Sequence, residues 1–395
     1  MSAARSLDLA ILGGPAAFEK PLPVGQLYFP AWEAYEAKFR DIFARQYYTN
    51  QGPLAHEFER RLEAFFDVRH AICVTNATIG LIMAAEALGL RGKVVTPSFT
   101  FIATAQALEW ANLRPVFCDV DPVTHHVTPA TIEGHLDSDV TAILAVNLWG
   151  GSCHQWQLQA LADERKLQLF YDSAHAFGCR VNDVPIGRFG AVEVFSFHAT
   201  KVLSSAEGGC LSTNDGELAK RLRNIRSSYG AGPPVSVVKT SNGRMSEAQA
   251  AIGLMSLDNF PDIVARNAEL FGLYRDGLKD IDGLRLVEPV NVSRSNFQYV
   301  VVEVDEAEFG LSRDLLLKAL RAENVVARRY FFPGAHRSIP WVERSPAVEL
   351  PNTDRLCDTL VQFPIGALVS ADDVAILCDL LGAIRERAAD IRKAA

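Results

Sequence analysis

Short, continuously apolar runs alternate with helical patterns between residues 54 and 172. The strand-like runs fall at residues 70–75, 93–96, 115–120, 141–149 and 167–172. The helical patterns fall at residues 54–66, 78–88, 102–111, 128–136 and 154–166. The apolar runs do not alternate with polar residues, as strands with one solvated face do. This pattern predicts an α/β fold in which helices cover both faces of a mostly parallel sheet.

The chain changes character after residue 189. Two predicted strands, 191–197 and 208–214, are separated there by only a short segment. A helical region begins at Ser246 and is interrupted at Pro261, because proline does not fit inside a regular helix. We take this interruption as the expected end of the large domain.

The C-terminal part is predicted to form a second, smaller α+β unit. Its expected elements are a strand at 297–304, a helix at 313–323, a strand at 325–331 and a last helix from residue 371. A chain of 395 residues, 49% of them hydrophobic, is long enough for two domains. We therefore predict an N-terminal segment, a large domain and a small C-terminal domain, at residues 1–50, 51–260 and 261–395.

Composition restricts the partners and the location of the protein. A net charge of −8 argues against a nucleic-acid or anionic-membrane partner. The seven cysteines are scattered without a CxxC pair, so they are expected to be buried thiols rather than a disulfide framework or a metal site. The N-terminus has no apolar stretch long enough for a signal peptide, and no run reaches about 18 apolar residues. A cytoplasmic protein without a membrane span is expected.

Open α/β sheets bind ligands beyond the carboxyl ends of their strands, so the residues after each predicted strand are candidates. The strand at 70–75 is followed by Asn76, Ala77 and Thr78, and then by a helix. Small residues at a helix start leave backbone N–H groups free, and the helix dipole favours an anion there. This segment is a candidate phosphate site; the alternative is ordinary helix capping by Asn76 or Thr78.

The strand at 167–172 ends in Asp172, and His175 follows closely. A carboxylate at the end of a buried strand is costly unless a cation pairs with it. The protonated nitrogen of a pyridine ring is such a cation. The alternatives are a helix cap or a buried salt bridge for Asp172, and a hydrogen-bonded core histidine for His175.

Lys201 follows the strand at 191–197, and Glu207-Gly208-Gly209 comes soon after it. Desolvation and a nearby cation lower the pKa of a lysine, which lets its amine form and break Schiff bases. The alternative for an isolated lysine is a surface charge. Ser196 is either a phosphate ligand or an ordinary strand serine.

These candidates support one another. Asp172 and Lys201 follow separate strands, and the small-residue helix start precedes both. A Schiff-base lysine, an acid for the ring nitrogen and a phosphate site are the three groups by which a protein holds pyridoxal phosphate. Phe101, after the strand at 93–96, is a candidate to stack on the ring, although a lone phenylalanine is more often a core residue. The sequence therefore predicts a pyridoxal phosphate enzyme.

Six segments resemble the DegT/StrS family of nucleotide-sugar aminotransferases. They are TNAT, TPSFTFIATAQAL, VFCDVDPVT, YDSAHAFGC, SFHATKVLSSAEGG and NGRMSEAQAAIGL. The succession D-x-A-H, S-F-H-x-T-K and E-G-G is highly specific, and the resemblance covers nearly the whole chain. It implies a fold-type-I aminotransferase that works as a homodimer with active sites at the subunit interface. YYTNQGPL and ARRYFFPGAH are most similar to members that aminate carbon 4 of dTDP-4-keto-6-deoxyglucose.

The resemblance also implies roles for single residues. Lys201 is then the lysine that binds pyridoxal phosphate and moves protons, Asp172 pairs with the pyridine nitrogen, and His175 lies beside the ring hydroxyl. The other cofactor contacts that it implies are Ala77, Thr78 and Ser196 for the phosphate and Phe101 for the face of the ring.

Four further residues are implied as contacts from more distant segments. Asn242, or Arg244, is expected to reach the phosphate of the cofactor in the other subunit, and Arg244 is also a candidate substrate contact. Tyr330 and His336 match a segment that lines the sugar pocket. The alternatives are a plain loop before a helix for the first pair, and a strand-end aromatic and a surface histidine for the second.

Two positions depart from the family pattern. Asn147 stands where many members have histidine. Ser227-Ser228-Tyr229-Gly230 stands where many have Asn-Phe-Gly. Neither departure removes a cofactor contact, but both bear on the identity of the sugar.

The expected reaction transfers an amino group from glutamate to carbon 4 of a keto sugar nucleotide. The alternatives are a 3-keto sugar nucleotide as acceptor, a sugar dehydratase of the same family, and a pyridoxal-phosphate-binding regulator without catalysis. Lys201 argues against the dehydratases, which carry histidine at that position. A Rossmann dehydrogenase is not expected, because the chain has no G-x-G-x-x-G motif.

Overall fold

The computed structural model describes residues 8–26, 28–227, 235–237, 239–345 and 347–394. The part of the second family departure at residues 228–230 lies outside them. The described residues form a sheet of seven strands, a sheet of four and a small sheet of two.

The strands of the large sheet agree closely with the apolar runs of the sequence. The strands of the described residues are β1 (His70–Val74), β2 (Lys93–Pro97), β3 (Arg114–Cys118), β4 (Val140–Val146), β5 (Gln168–Asp172), β6 (Arg180–Val181), β7 (Val184–Pro185), β8 (Val192–Ser196), β9 (Gly209–Thr213), β10 (Leu284–Leu286), β11 (Val300–Val304), β12 (Arg328–Arg329) and β13 (Leu360–Phe363). Of these, β6, β7, β10 and β13 were not predicted. The large sheet has the order β1-β9-β8-β5-β4-β2-β3. Neighbours from β8 to β3 pair in parallel, and β9 runs antiparallel to both β1 and β8. The predicted mostly parallel α/β sheet is confirmed.

Helices connect the strands and cover the large sheet. They are α1 (Trp32–Arg45), α2 (Pro53–Phe66), α3 (Ala77–Ala87), α4 (Ile102–Trp110), α5 (Pro129–Glu133), α6 (Gln155–Arg165), α7 (Gly216–Arg226), α8 (Glu247–Asp258), α9 (Phe260–Leu278), α10 (Glu306–Phe309), α11 (Arg313–Ala322), α12 (Trp341–Arg344), α13 (Pro351–Thr359), α14 (Ala371–Glu386) and α15 (Ala388–Ala394). Pro261 lies in the first turn of α9, where a missing N–H costs nothing, so it separates α8 from α9 as expected.

The interior strands of the large sheet are buried on both faces. Along β4, Ile143 and Ala145 belong to one hydrophobic cluster, whereas Ala142 and Leu144 belong to another. Successive side chains of a strand point to opposite faces, so β4 contributes to a core on each side of the sheet. This explains why the sequence shows unbroken apolar runs rather than alternation.

The smaller sheet has the order β10-β11-β13-β12 and is antiparallel throughout. One difference from the prediction is the strand expected at 325–331, of which only Arg328–Arg329 pairs in the sheet. Tyr330 and Phe331 leave the sheet and line a cavity instead. The boundaries of the N-terminal segment and the two domains stay a prediction.

All seven cysteines are buried, as expected, and none is in a disulfide. In the described part of the chain, no helix combines the length and the apolar character needed to cross a membrane. The same residues contain no cluster of three or more His, Cys, Asp or Glu side chains that could hold a metal ion.

Candidate active site

A cavity of about 300 Å³ opens where the carboxyl ends of the large-sheet strands meet. Strands β5 and β8 are parallel neighbours, with Asp172 opposite Val194, so the segments that follow them converge on one edge of the sheet. Eight of the residues singled out from the sequence line this cavity: Ala77, Thr78, Phe101, Asp172, His175, Ser196, Lys201 and Tyr330. The structure thus brings them together, while the role of each stays a prediction.

Asp172 ends β5 with its carboxylate buried at the cavity. Its Oδ2 accepts a hydrogen bond of 2.8 Å from Thr104 Oγ1, and its Oδ1 accepts one of 3.1 Å from the amide of Ala174. Burial raises the pKa of Asp172, while these two bonds and the charge of Lys201 lower it. Asp172 forms no salt bridge with any described residue, so the salt-bridge alternative is not what the structure shows. A buried carboxylate of this kind suits a cationic ligand.

Lys201 lies in the segment between β8 and β9, with its amine directed at the cavity wall. Its Nζ donates a hydrogen bond of 2.9 Å to Tyr299 Oη. Burial lowers the pKa of the amine, and Tyr330 and Asp172 act in the opposite direction. Lys201 is therefore not a solvated surface charge, and its environment favours the neutral amine that a nucleophile needs.

His175 lies at the back of the cavity among aromatic rings. Its ring centroid is 4.3 Å from that of Tyr299 and 5.5 Å from that of Trp149. Burial lowers the pKa of His175 well below its usual value, and the charge of Lys201 acts in the same direction. Nδ1 of His175 is buried and has no hydrogen-bond partner among the described residues. His175 is therefore a neutral ring with one free polar atom, not a fully bonded core histidine.

The start of α3 shows both features that the sequence suggested, a capped helix and a candidate phosphate site. Asn76 caps the helix, because its Oδ1 accepts a hydrogen bond of 2.9 Å from the amide of Ile79. Ala77 and Thr78 in the first turn line the cavity, and the N–H groups of a first turn have no acceptor inside their helix. A Cβ at Gly209 would lie only 2.9 Å from the nitrogen of Ala77, so glycine is needed for this close approach. The arrangement is suited to an anion.

The two aromatic candidates differ in exposure. Phe101 immediately precedes α4 and is 61% exposed, so it is a wall of the cavity and not a core residue. Tyr330 is partly buried, and its ring centroid lies 5.9 Å from that of Tyr299.

Three predicted residues lie elsewhere. Asn242 and Arg244 are hydrogen-bonded to each other, and Arg244 Nη1 also donates to Ser227 Oγ at 3.1 Å. Neither residue lines the cavity of its own chain. Their expected contact with the cofactor of a second subunit stays a prediction.

His336 is not among the residues that line the cavity. Its side chain is buried, with Nδ1 2.6 Å from Ser98 Oγ and Nε2 3.1 Å from Asp354 Oδ1. It is thus neither a surface histidine nor part of the wall of the cavity. These contacts hold the His336 ring in the segment after Tyr330, and its contact with the sugar stays a prediction.

Several residues near the cavity were missed in the sequence. Thr104 and Tyr299 hydrogen-bond to Asp172 and Lys201, and Arg328 lines the cavity. The spacing in IATAQ could have indicated Thr104, since it lies one turn after Thr100 on the helix that follows Phe101. Tyr299 carried no such indication, because it belongs to a segment far away in sequence.

A buried polar chain continues from the cavity into the sheet. Asn147, which lines the cavity, donates from Nδ2 to Ser173 Oγ at 2.9 Å. Ser173 Oγ in turn donates to Glu193 Oε2 at 2.5 Å. Burial raises the pKa of Glu193 to about 7. Asn147, which stands where many family members have histidine, therefore lines the cavity with an amide. That amide is hydrogen-bonded to Ser173, the residue after Asp172.

Comparison with known proteins adds the family. The sequence profile of the DegT/DnrJ/EryC1/StrS aminotransferase family matches residues 32–381. The chain belongs to this family. The resemblance seen in the sequence is thereby confirmed, and the protein is a pyridoxal-phosphate-dependent sugar aminotransferase.

Relatives within the DegT/DnrJ/EryC1/StrS family cover almost the whole chain. The dTDP-4-amino-4,6-dideoxy-D-glucose transaminase of Shigella dysenteriae is 35% identical over 371 residues, which is 93% of this chain and 99% of that protein. DesI, crystallised in the presence of its TDP-sugar product, is 40% identical, with a TM-score of 0.92 over 98% of this chain and 99% of DesI. DesV of S. venezuelae, in complex with a ketimine intermediate, is 27% identical, with a TM-score of 0.84 over 93% and 99% of the two chains. Fold type I is confirmed.

The cavity of this DegT/DnrJ/EryC1/StrS protein fits pyridoxal phosphate. A buried carboxylate at Asp172 lacks a cation, and a buried ring nitrogen of His175 lacks a hydrogen-bond partner among the described residues. The first turn of α3 presents backbone N–H groups, and Lys201, whose amine is hydrogen-bonded to Tyr299, lines the cavity. These groups match the ring nitrogen, the ring hydroxyl, the phosphate and the aldehyde of the cofactor.

Proposed function

We propose that this aminotransferase moves an amino group from glutamate to carbon 4 of dTDP-4-keto-6-deoxyglucose, giving dTDP-4-amino-4,6-dideoxyglucose. The proposal rests on the similarity of this chain, over nearly its whole length, to two proteins. One is a transaminase named for this amino sugar, and the other is DesI, crystallised with its TDP-sugar product. Glutamate as donor follows from the resemblance of the motifs around Lys201 and Asp172 to the family. A cytoplasmic location belongs to the same proposal and agrees with the seven free thiols.

The residues of the cavity have separate roles in the proposed reaction. When bound, pyridoxal phosphate supplies an electron sink that lets an amino group leave one substrate and join another. Asp172 holds a proton at the pyridine nitrogen through its charge, and hydrogen bonds from Thr104 and Ala174 orient that carboxylate and favour its ionised form. His175 binds the ring hydroxyl, and the first turn of α3 with Ser196 binds the phosphate.

Lys201 does the proton transfer in this proposal. Its amine is buried, and burial lowers its pKa, which favours the neutral form that accepts a proton. Nζ accepts the proton from the carbon that loses hydrogen and returns it at the carbon that gains it. Phe101 covers one face of the ring, and Tyr330 at the rim is the remaining candidate for contact with the sugar.

The first prediction tests the substrate. Purified protein with pyridoxal phosphate and glutamate is incubated with a panel of 3-keto and 4-keto sugar nucleotides, and the products are identified by mass spectrometry and NMR. We expect 2-oxoglutarate together with an amino group at carbon 4 of the dTDP sugar, and much slower reaction with 3-keto sugars. A product aminated at carbon 3, or loss of water from the sugar without amination, would instead support one of the two enzymatic alternatives.

The active form is proposed to be a homodimer with shared sites. Aromatic side chains form a continuous row along α1, in which Trp32 stacks on Tyr35 and Tyr35 on Phe39. Trp32 is 65% exposed and Phe43 is 64% exposed. An exposed apolar surface of this kind is typical of a protein interface. A second copy covering it would also supply the Asn242 and Arg244 that lie outside the cavity of their own chain.

The second prediction tests the shared site by complementation. Lys201→Ala and the double variant Asn242→Ala/Arg244→Ala are co-expressed with different tags, and the mixed dimer is isolated. One of its two sites then has an intact lysine and an intact partner segment, so we expect about half the wild-type activity per dimer. Each parent dimer should be far less active. A mixed dimer no better than its parents, or a monomer with full activity, contradicts the shared site.

A further inference from the structure

The hydrogen bond between Lys201 and Tyr299 joins the two sheets at the reactive amine. Tyr299 immediately precedes β11 of the smaller sheet, whereas Lys201 follows β8 of the large sheet. Nζ of Lys201 donates to Oη of Tyr299 at 2.9 Å, and Tyr299 is only 4% exposed. Tyr299 is not one of the described residues that line the cavity. Tyr299 therefore contacts Lys201 outside the wall of the cavity, so a contact with the substrate does not explain its position.

The surroundings keep the Tyr299 hydroxyl neutral. Burial raises the pKa of Tyr299 well above its ordinary value, and the charge of Asp172 acts in the same direction. The neighbouring side chains of Gln298 and Tyr330 and the charge of Arg328 act against this rise in the pKa. His175, whose ring packs on Tyr299, is itself held neutral by burial. The hydroxyl is thus a fixed, uncharged acceptor for the Lys201 amine.

An aminotransferase lysine needs such an acceptor. Its amine is joined to the cofactor for only part of the cycle and must stay close to the reacting carbon for the rest. A lysine side chain is flexible and ends in a compact group with three rotatable donors, so nothing within the side chain fixes its position. Proton transfer is sensitive to placement, and an error of about 1 Å can cost roughly 100-fold in rate.

We propose that Tyr299 is a positioning residue that holds the amine of Lys201 whenever it is not joined to the cofactor. The inference rests on the proposed function, since only a lysine that is released and recaptured needs this support. A residue next to the smaller sheet thereby helps to position the reactive lysine of the large sheet. Removing the acceptor leaves the amine mobile and also withdraws a partner that stabilises its protonated form.

The third prediction compares two variants that each lose one buried hydroxyl. Tyr299→Phe keeps the ring that packs on His175 and removes the acceptor. Tyr171→Phe is the matched control, because Tyr171 is fully buried in β5 and its hydroxyl has no partner among the described residues. In cofactor-free protein, the reactivity of Lys201 is followed over a pH series by reductive methylation with formaldehyde and cyanoborohydride, then by peptide mapping.

We expect the Lys201 methylation profile of Tyr299→Phe to shift to lower pH by about one unit, because a bond to the charged amine is lost. In the loaded enzyme, kcat should fall roughly 10-fold, a larger change than any in KM for the sugar nucleotide, since the lost hydroxyl positions Lys201 directly and affects the sugar only through Tyr330. Tyr171→Phe should match the wild type in both measurements. If Tyr299→Phe does not fold, Tyr299→Met removes the same acceptor and is measured in its place.

An unchanged profile in the Tyr299 variant, or an equal shift in Tyr171→Phe, overturns the proposal. The methylation profile needs neither cofactor nor sugar, so it separates this inference from the proposed function. If the wild type aminates no sugar nucleotide, the proposed function fails, while the profile still shows whether Tyr299 binds the amine.

Discussion

Replacing Lys201 with alanine is expected to abolish turnover, with kcat lower by at least about 1,000-fold. The variant loses both the covalent anchor of the cofactor and the group that moves protons, and acid–base catalysis alone accounts for roughly 100- to 10,000-fold. Asp172, His175 and the first turn of α3 are unchanged in this variant, so we expect it to retain cofactor noncovalently. Steady-state assays and single-turnover spectra with glutamate measure the two effects separately.

Lys220→Ala is a matched control for the loss of a lysine. Lys220 is exposed on α7 and paired with Glu217, so its removal should leave activity unchanged. Borohydride treatment of the wild type, followed by peptide mapping, should attach the cofactor to Lys201. A label on another lysine, or turnover of Lys201→Ala near the wild-type rate, would remove the basis of the mechanism.

The large sheet could be predicted from the sequence because its interior strands share one property, an unbroken apolar composition. Each interior strand is apolar on both faces, so runs such as 141–149 stand out against the helices between them. The antiparallel direction of β9 could not be predicted from the sequence. A strand of five residues has the same composition in either direction, and only its pairing with β1 and β8 shows that it is antiparallel.

The site was readable only in part, for a related reason. Asp172 and Lys201 follow strands of one sheet, and the rule that ligands bind at the carboxyl ends brings them together. Tyr299 and Thr104 act through side-chain hydrogen bonds that depend on how distant segments pack, and no local pattern encodes such a contact. For His336 the structure shows only its protein contacts, so the sugar contact implied by the motif stays a prediction.

Asp172→Asn is expected to lower kcat by at least about 100-fold while leaving the fold and the attachment of cofactor to Lys201 in place. The amide has nearly the shape of the carboxylate, and its oxygen can still accept from Thr104 or from Ala174. What it lacks is the negative charge that holds a proton at the pyridine nitrogen. Absorbance spectra measure cofactor retention, and single-turnover reactions with glutamate measure the slowed proton transfer.

The contrast between the two active-site variants is the stronger test, because their roles differ in kind. Asp172→Asn should slow the reaction but still complete it, whereas Lys201→Ala should not complete it at all. Asp163→Asn controls for the loss of an acidic group and should behave as the wild type, because this exposed carboxylate on α6 accepts from Gln159 alone among the described residues. Full activity in Asp172→Asn would show that the pyridine partner is misassigned. It would leave the assignment of Lys201 intact, since that rests on a different strand and a separate contact.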